Sequence, residues 1–150
     1  MNPREIVQAL LDSVQRGDFQ KVKFLLGSDC QFSGSVPEPI KGAAWMKMNR
    51  NLKKAFPNLD YHFHVDGVDG LDGGVVRISA ELKGTHSGVL DLSPQGLGVT
   101  PATHKSFATP HEHCKVTIKY DKIASWVVEP IEGGGLTGIL GQLGVTMPTS

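Results

Sequence analysis

At Pro57 the period of the hydrophobic pattern changes: apolar residues recur every three or four positions before it and alternate after it. The first spacing suits helices with one buried stripe and the second suits strands with one buried face. The change therefore predicts helices followed by an antiparallel sheet, an α+β domain in which helices cover one sheet face. Residues 4 to 15 place Ile6, Val7, Leu10, Leu11 and Val14 on one stripe, and Gly17 ends that helix. Asp18 is positioned to cap a second helix with Phe19, Val22, Phe24, Leu25 and Leu26 as its apolar face and Gly27-Ser28 as its stop. A short strand about Gln31-Phe32-Ser33 and a loop with Pro37 and Pro39 lead to a third helix over 43 to 55. There Trp45, Met46, Met48 and Leu52 face inward, and Pro57 fixes the end.

The alternating half predicts four strands. Leu59, Tyr61, Phe63 and Val65 share one face of the first, opposite Asp60, His62, His64 and Asp66. The turn "DGLDGG" leads to residues 75 to 82, with Val76, Ile78, Ala80 and Leu82 apolar. Residues 111 to 119 set Cys114, Val116 and Ile118 against His113, Lys115 and Thr117, and "KYDK" turns into a last strand over 123 to 129. Residues 84 to 110 read as a long loop, part of it pairing at a sheet edge; connections of that length in compact domains are usually lids or binding loops. Past Glu129-Pro130, the run Gly133-Gly134-Gly135 hinges a cap over 133 to 145, expected to fold back as a helical lid with Leu136, Ile139, Leu140 and Leu143 toward a ligand.

With 150 residues the chain fits a single domain, 1 to 150, that buries about two thirds of its unfolded surface. Lys plus Arg and Asp plus Glu are equal at 15 each, so the broad positive field needed for nucleic acid or an anionic membrane is missing and a small apolar or neutral molecule is the expected partner. No apolar run approaches the roughly 20 residues of a membrane span, and the charged, amphipathic start "MNPREIVQALL" points to the cytoplasm. Cys30 and Cys114 show no motif spacing and read as buried thiols in a reducing compartment.

The order helical hairpin, short strand, helix ending in "AFPNLDYHF", "VVRISAELKGTHSG", a Pro/Gly loop, "KIASW" and "GILGQLGV" resembles the SnoaL-like polyketide cyclase and ester cyclase family. That family shares the NTF2-like fold with ketosteroid isomerases and limonene epoxide hydrolases. The resemblance implies a cone of three N-terminal helices packed on a curved antiparallel sheet, a mostly apolar pocket between them, and pairing of two copies through the outer sheet face. It also implies acid/base chemistry by pocket carboxylates and histidines on an enolisable carbonyl compound, with no cofactor and no metal. The chain departs from the family on the last strand. Where many relatives carry His-Trp-Asp or Phe-Asp, it reads Ser125-Trp126-Val127-Val128-Glu129-Pro130, without the histidine.

Three residues are candidates for that chemistry. Glu129 shares the parity of Ile123, Ser125 and Val127, and apolar pocket walls would raise its pKa toward neutrality; its alternative is a solvated strand end. Glu112 lies by alternation on the face of Cys114, Val116 and Ile118, where an unpaired carboxylate takes a partner or a proton. One bulge would exchange which of the two faces inward. His86, in Gly84-Thr85-His86-Ser87-Gly88, either meets a ligand at the pocket mouth or ties down the following loop. Trp45, Met46, Met48, Phe56, Tyr61 and Phe63, with Trp126 and the cap residues Leu136 and Leu140, are the expected ligand-binding wall. The pairs His62-x-His64 and His111-x-His113 lie opposite their strands' apolar faces and read as surface, not metal ligands; "GLDGG" and "EGGGLTG" read as turns. The expectation is a cofactor-independent enzyme moving protons on an apolar carbonyl compound. A non-catalytic binder of an apolar small molecule is its alternative, and a dimeric interaction module with a filled core is a third reading.

Overall fold

A computed structural model describes residues 2–34, 38–69, 74–93 and 98–145. Pro37 and residues 70–73 of the expected "DGLDGG" turn lie outside the described residues. Helix α1, Pro3–Arg16, starts where the Asn2 side chain accepts the Glu5 N–H at 2.9 Å and stops at Gly17, whose φ of 75° suits a residue without Cβ. Its stripe Ile6, Val7, Leu10, Leu11 and Val14 is buried against β3, β4 and β10 of the sheet described below. Asp18 caps α2, Phe19–Leu25. This helix ends earlier than expected, because Leu26 is already extended (φ −82°, ψ 137°) and opens strand β1, Leu26–Ser33. Phe24 is consequently not on a buried face: it is 72% exposed and lies under the Lys122 ammonium, 3.9 Å from its ring centroid. Helix α3, Gly42–Ala55, buries Trp45, Met46, Met48, Asn49 and Leu52.

Strands β2 (Ile40–Lys41), β1, β10 (Lys122–Val128), β9 (Glu112–Lys119), β4 (Val75–Ala80) and β3 (His64–Asp69) form one sheet in that spatial order. The sheet is curved and unclosed, β2 and β3 being its two edges. It is not wholly antiparallel: β1 runs parallel to β10, a pairing the crossover through α3 makes possible, while the other neighbours are antiparallel. The described residues of 84 to 110 carry more regular structure than a plain loop. Strands β5 (Lys83–Thr85) and β8 (Ser106–Ala108) pair, as do β6 (Leu90–Asp91) and β7 (Val99–Thr100). The cap contains helix α4, Gly135–Gln142.

Two local departures from simple alternation position the site. Residues 59 to 63 do not extend the first strand of the alternating half. His62 sits at φ 48° with its N–H on the Asp60 carboxylate (2.9 Å), and the Gln15 side chain bonds the Leu59 carbonyl (3.1 Å) and the Tyr61 N–H (2.9 Å). Tyr61 is thereby held inward by α1 instead of by a ladder. On β10, Ile123 pairs with Ile118 but Ser125 pairs with Thr117, so Ala124 is an extra residue. After this bulge Trp126 and Val128 turn inward and Val127 turns out.

Candidate functional site

Helix α3, the inner face of β4, β9 and β10, and helix α4 enclose a cavity of about 70 Å³. Its apolar wall is built from an aromatic cluster. Trp45 stacks on Phe32 at 4.1 Å between ring centroids, Trp126 meets Trp45 at 5.5 Å, Phe63 meets Trp126 at 5.8 Å, and Tyr61 stacks on Phe63 at 5.0 Å. Met48, Leu52, Ala80, Leu82, Val128, Leu136 and Ile139 close it. The polar groups facing this wall are Asn49, Tyr61, Thr109, Cys114 and Glu112.

Glu112 begins β9 opposite Ala80 of β4 and is 6% exposed. Strand alternation carries it to the same face as Cys114 and Val116, both buried. Its Oε1 accepts the N–H of Gly135, the first residue of α4, at 2.5 Å; its Oε2 has no hydrogen-bond partner among the described residues. Burial raises the Glu112 pKa above the ordinary carboxylate value, and the Gly135 N–H pulls it back down by less. A Cβ at Gly134 would meet the Glu112 carboxylate and the Ile131 side chain, so a larger residue there would have to displace them. A buried carboxylate with a raised pKa, set in a largely apolar wall, has the chemistry of a general acid or base.

Across the cavity, the Tyr61 hydroxyl donates to Asn49 Oδ1 at 2.8 Å and Asn49 Nδ2 donates to the Trp45 carbonyl at 2.9 Å. This leaves the Tyr61 oxygen able to accept and one Asn49 N–H able to donate. Burial raises the Tyr61 pKa, so the phenol stays neutral. Burial also pushes the Cys114 thiol up to about 12, against the pull of the Trp126 indole N–H, so Cys114 is not a thiolate nucleophile at neutral pH. Thr109 takes the Leu82 N–H on its hydroxyl oxygen at 2.9 Å and keeps its own proton to donate.

Of the residues expected at the site from sequence, Glu112, Trp45, Met48, Tyr61, Phe63, Trp126 and Leu136 line this cavity. Glu129 does not. The Ala124 bulge reverses the parity it was assigned, and it is exposed beyond the end of β10, its N–H on the His113 carbonyl at 2.8 Å. His86 is fully buried away from the cavity, in edge-on contact with Phe56 at 5.4 Å. Its Nδ1 accepts the Thr103 N–H (3.2 Å) and is hydrogen-bonded to the Thr103 hydroxyl (2.9 Å), while its Nε2 has no hydrogen-bond partner among the described residues. Burial first, and then the neighbouring His104, lower its pKa, so the ring is neutral and ties down the segment between β5 and β8. Phe56 packs on Phe107 at 4.7 Å and Leu140 is buried in the core, neither of them on the cavity wall; Ile139 occupies the position in α4 that Leu140 was expected to fill. Asn49 was not anticipated, although its spacing of four from Trp45 puts it on the buried stripe of α3. Thr109 gave no sequence signal, and Gly135 was legible only as part of the Gly133-Gly134-Gly135 hinge.

His62, His64, His111 and His113 are all exposed, only His64 and His113 of them lying on strands, and His111 is bonded to Glu81 at 2.8 Å. Among the described residues no group of three His, Cys, Asp or Glu side chains is placed to hold a metal ion, and no helix is long and apolar enough to cross a membrane.

No known family profile and no curated protein matches the sequence. Solved structures do match the fold. IdmH from Streptomyces antibioticus, a proposed polyketide cyclase, superposes with a TM-score of 0.66 at 18% identity over 97% of this chain and 100% of its own. A proposed SnoaL-like polyketide cyclase from Jannaschia sp. CCS1 gives 0.67 at 16% identity, over 96% and 92%. An M. tuberculosis LEH-like epoxide hydrolase gives 0.59 at 16%, over 93% and 90%. Identities this low speak to architecture alone, and over nearly its whole length the chain shares the fold of these SnoaL-like and LEH-like structures.

Proposed function

We propose that the cavity takes a small, largely apolar carbonyl compound and that Glu112 moves a proton at the carbon next to the carbonyl, with no cofactor. The observation that carries this reading is the one carboxylate among the residues lining the cavity, 6% exposed and set in a largely apolar wall. Such a group costs several kcal/mol to bury if ionised, and a site of proton transfer is where that cost has a use. Aromatic rings of Trp45, Phe63 and Trp126 hold the apolar body, and the Asn49 N–H or Thr109 hydroxyl donates to the carbonyl oxygen as enolate charge develops. The test is hydrogen–deuterium exchange at the acidic carbon of 2-tetralone, followed by proton NMR in D₂O. Wild-type protein is expected to speed exchange over buffer, and Glu112→Gln to lose about 100-fold or more of that gain. Exchange at the buffer rate by a protein that binds the ketone refutes catalysis.

That outcome would establish the second reading, a non-catalytic binder. It is favoured by the absence of His86 and Glu129 from the cavity, which leaves Glu112 without a second acid or base at its side. For assembly we propose a homodimer through the outer sheet face. Arg77 and Lys115 there stand among Asp66, Glu81 and Glu129, so two copies can match opposite charges. Sedimentation showing only monomer at micromolar concentration would remove it. Buried thiols at Cys30 and Cys114 suit a reducing, cytoplasmic setting, which localisation of a tagged chain would test.

A further inference from the structure

The cavity is too small for the ligands its walls suit. About 70 Å³ falls well below the roughly 300–1,000 Å³ of ordinary ligand pockets. Beside it lies an outer groove of about 810 Å³, lined by Gly34, the connection Glu129–Gly135, and Gly138, Gly141 and Gln142 of α4. The two spaces share Glu112, Val128 and Gly135. What separates them is the glycine connection and the first turn of α4, fastened at one end by the Glu112–Gly135 bond. At the other end the Gln142 amide grips Ala108 of β8 through both backbone groups, at 3.0 and 2.7 Å. Gly133 and Gly135 have φ of 81° and 66°, and two positive-φ glycines at the start of a helix make a hinge.

We propose that α4 is a lid hinged at Gly133–Gly135, that opening it joins the cavity to the outer groove, and that Glu112 couples the lid to the proton: closed when its carboxyl is protonated, open when it is ionised. The direction follows from solvation. In the closed form Glu112 faces apolar walls, and in the open form it faces the water of the groove, so closure and protonation favour each other. The Gly135 N–H works against this by favouring the anion, but it is the lesser effect. Titratable groups around Glu112 are Cys114 on β9, Tyr61 ahead of β3, and Glu129 and Glu132 on the connection. Strand β4 presents Ala80, α3 presents Trp45, Met48 and Asn49, and α4 presents Gly135, Leu136 and Ile139; Lys105 lies at the far end of α4, beside Gly144. On the proposed proton-transfer reading, removal of a substrate proton would close the lid over the intermediate and its return would open it; the coupling itself rests only on the cavity and the hinge.

The chain's two tryptophans, Trp45 and Trp126, both line the cavity, so acrylamide quenching of their fluorescence reads the lid without a ligand or turnover. Between about pH 5 and about pH 9 the wild-type quenching constant is expected to rise about threefold, while far-ultraviolet circular dichroism stays constant. Glu112→Gln, neutral and still able to accept the Gly135 N–H, is expected to stay low across the range. Gly134→Ala, whose methyl would strike the Glu112 carboxylate, is expected to stay high. A wild-type profile flat in pH, or a rise in Glu112→Gln equal to that of wild type, overturns the proposal even if Gly134→Ala fails to fold. Neither result depends on whether ketone exchange is catalysed.

Discussion

The Glu112 carboxyl is subject to two opposing effects, and its replacement by glutamine measures which is larger. Desolvation of a carboxylate that is 6% exposed costs several kcal/mol in its ionised form. The first N–H of α4 returns about 1.5–3 kcal/mol as a charge-assisted bond, and the helix dipole adds about 0.3–1 kcal/mol. Desolvation wins, which is why the pKa lies above 4.5. Sign and window follow. Unfolded chain releases the Glu112 proton near 4.5, while folded chain keeps it to higher pH, so over that interval the folded state binds more protons and wild-type stability falls as pH rises. One proton gives a slope of at most about 1.36 kcal/mol per pH unit.

Glutamine has nearly the same shape, keeps an oxygen for Gly135 and does not titrate. Urea unfolding of both proteins at constant ionic strength, in steps from about pH 4.5 to about pH 8, yields the difference in stability. The contribution of His86, which is buried away from Glu112, is common to both proteins and cancels. The difference is expected to be near zero at the acid end and to grow in favour of Glu112→Gln toward the limiting slope. It should level off where opening the lid becomes cheaper than ionising a closed carboxyl. A difference flat in pH, or wild type gaining on the variant as pH rises, would show that the α4 N-terminus dominates, and it would refute both the raised pKa and the direction of lid coupling.

Two further outcomes test the surroundings. Tyr61→Phe leaves Asn49 Oδ1 without its donor and is expected to cost about 1–3 kcal/mol; in Asn49→Leu that bond is already gone, so a double-mutant cycle in urea should give a coupling of about 1 kcal/mol, and simple additivity would show that the bond does not contribute. His86, held neutral by burial, is expected to draw stability down as pH falls through 6.5, because the unfolded chain then takes a proton that the folded site resists; thermal melts that keep their midpoint from about pH 7.5 to about pH 5.5 would contradict this.

What could be read in the sequence and what could not divides along physical lines. Helix α1 and its C-terminal end were legible because its stripe and αL glycine are local signals whose physics operates within a few residues. The general plan of helices over a sheet followed from the change of period at Pro57. Phe24 was misassigned because nothing within α2 distinguishes a phenylalanine in the core from one beneath a lysine of a strand 98 residues later, whose ammonium also bonds the Phe24 carbonyl. The parallel pairing of β1 with β10 and the two small ladders within 84 to 110 are likewise long-range choices that leave no periodicity behind. The site turned on a single residue. Strand parity places Glu129 inward if β10 is regular and outward if it is bulged, while β9 is regular and carries Glu112 inward by simple alternation from Cys114. A bulge at Ala124 has no composition that marks it, and its cause lies in the neighbours: β10 is paired on both sides, parallel to β1 and antiparallel to β9, and the register with β1 is itself irregular between Leu26 and Gln31. The inward carboxylate is therefore chosen by the sheet as a whole, so a substitution on β1 or β9 that removed the Ala124 bulge would turn Glu129 toward the cavity without touching either glutamate.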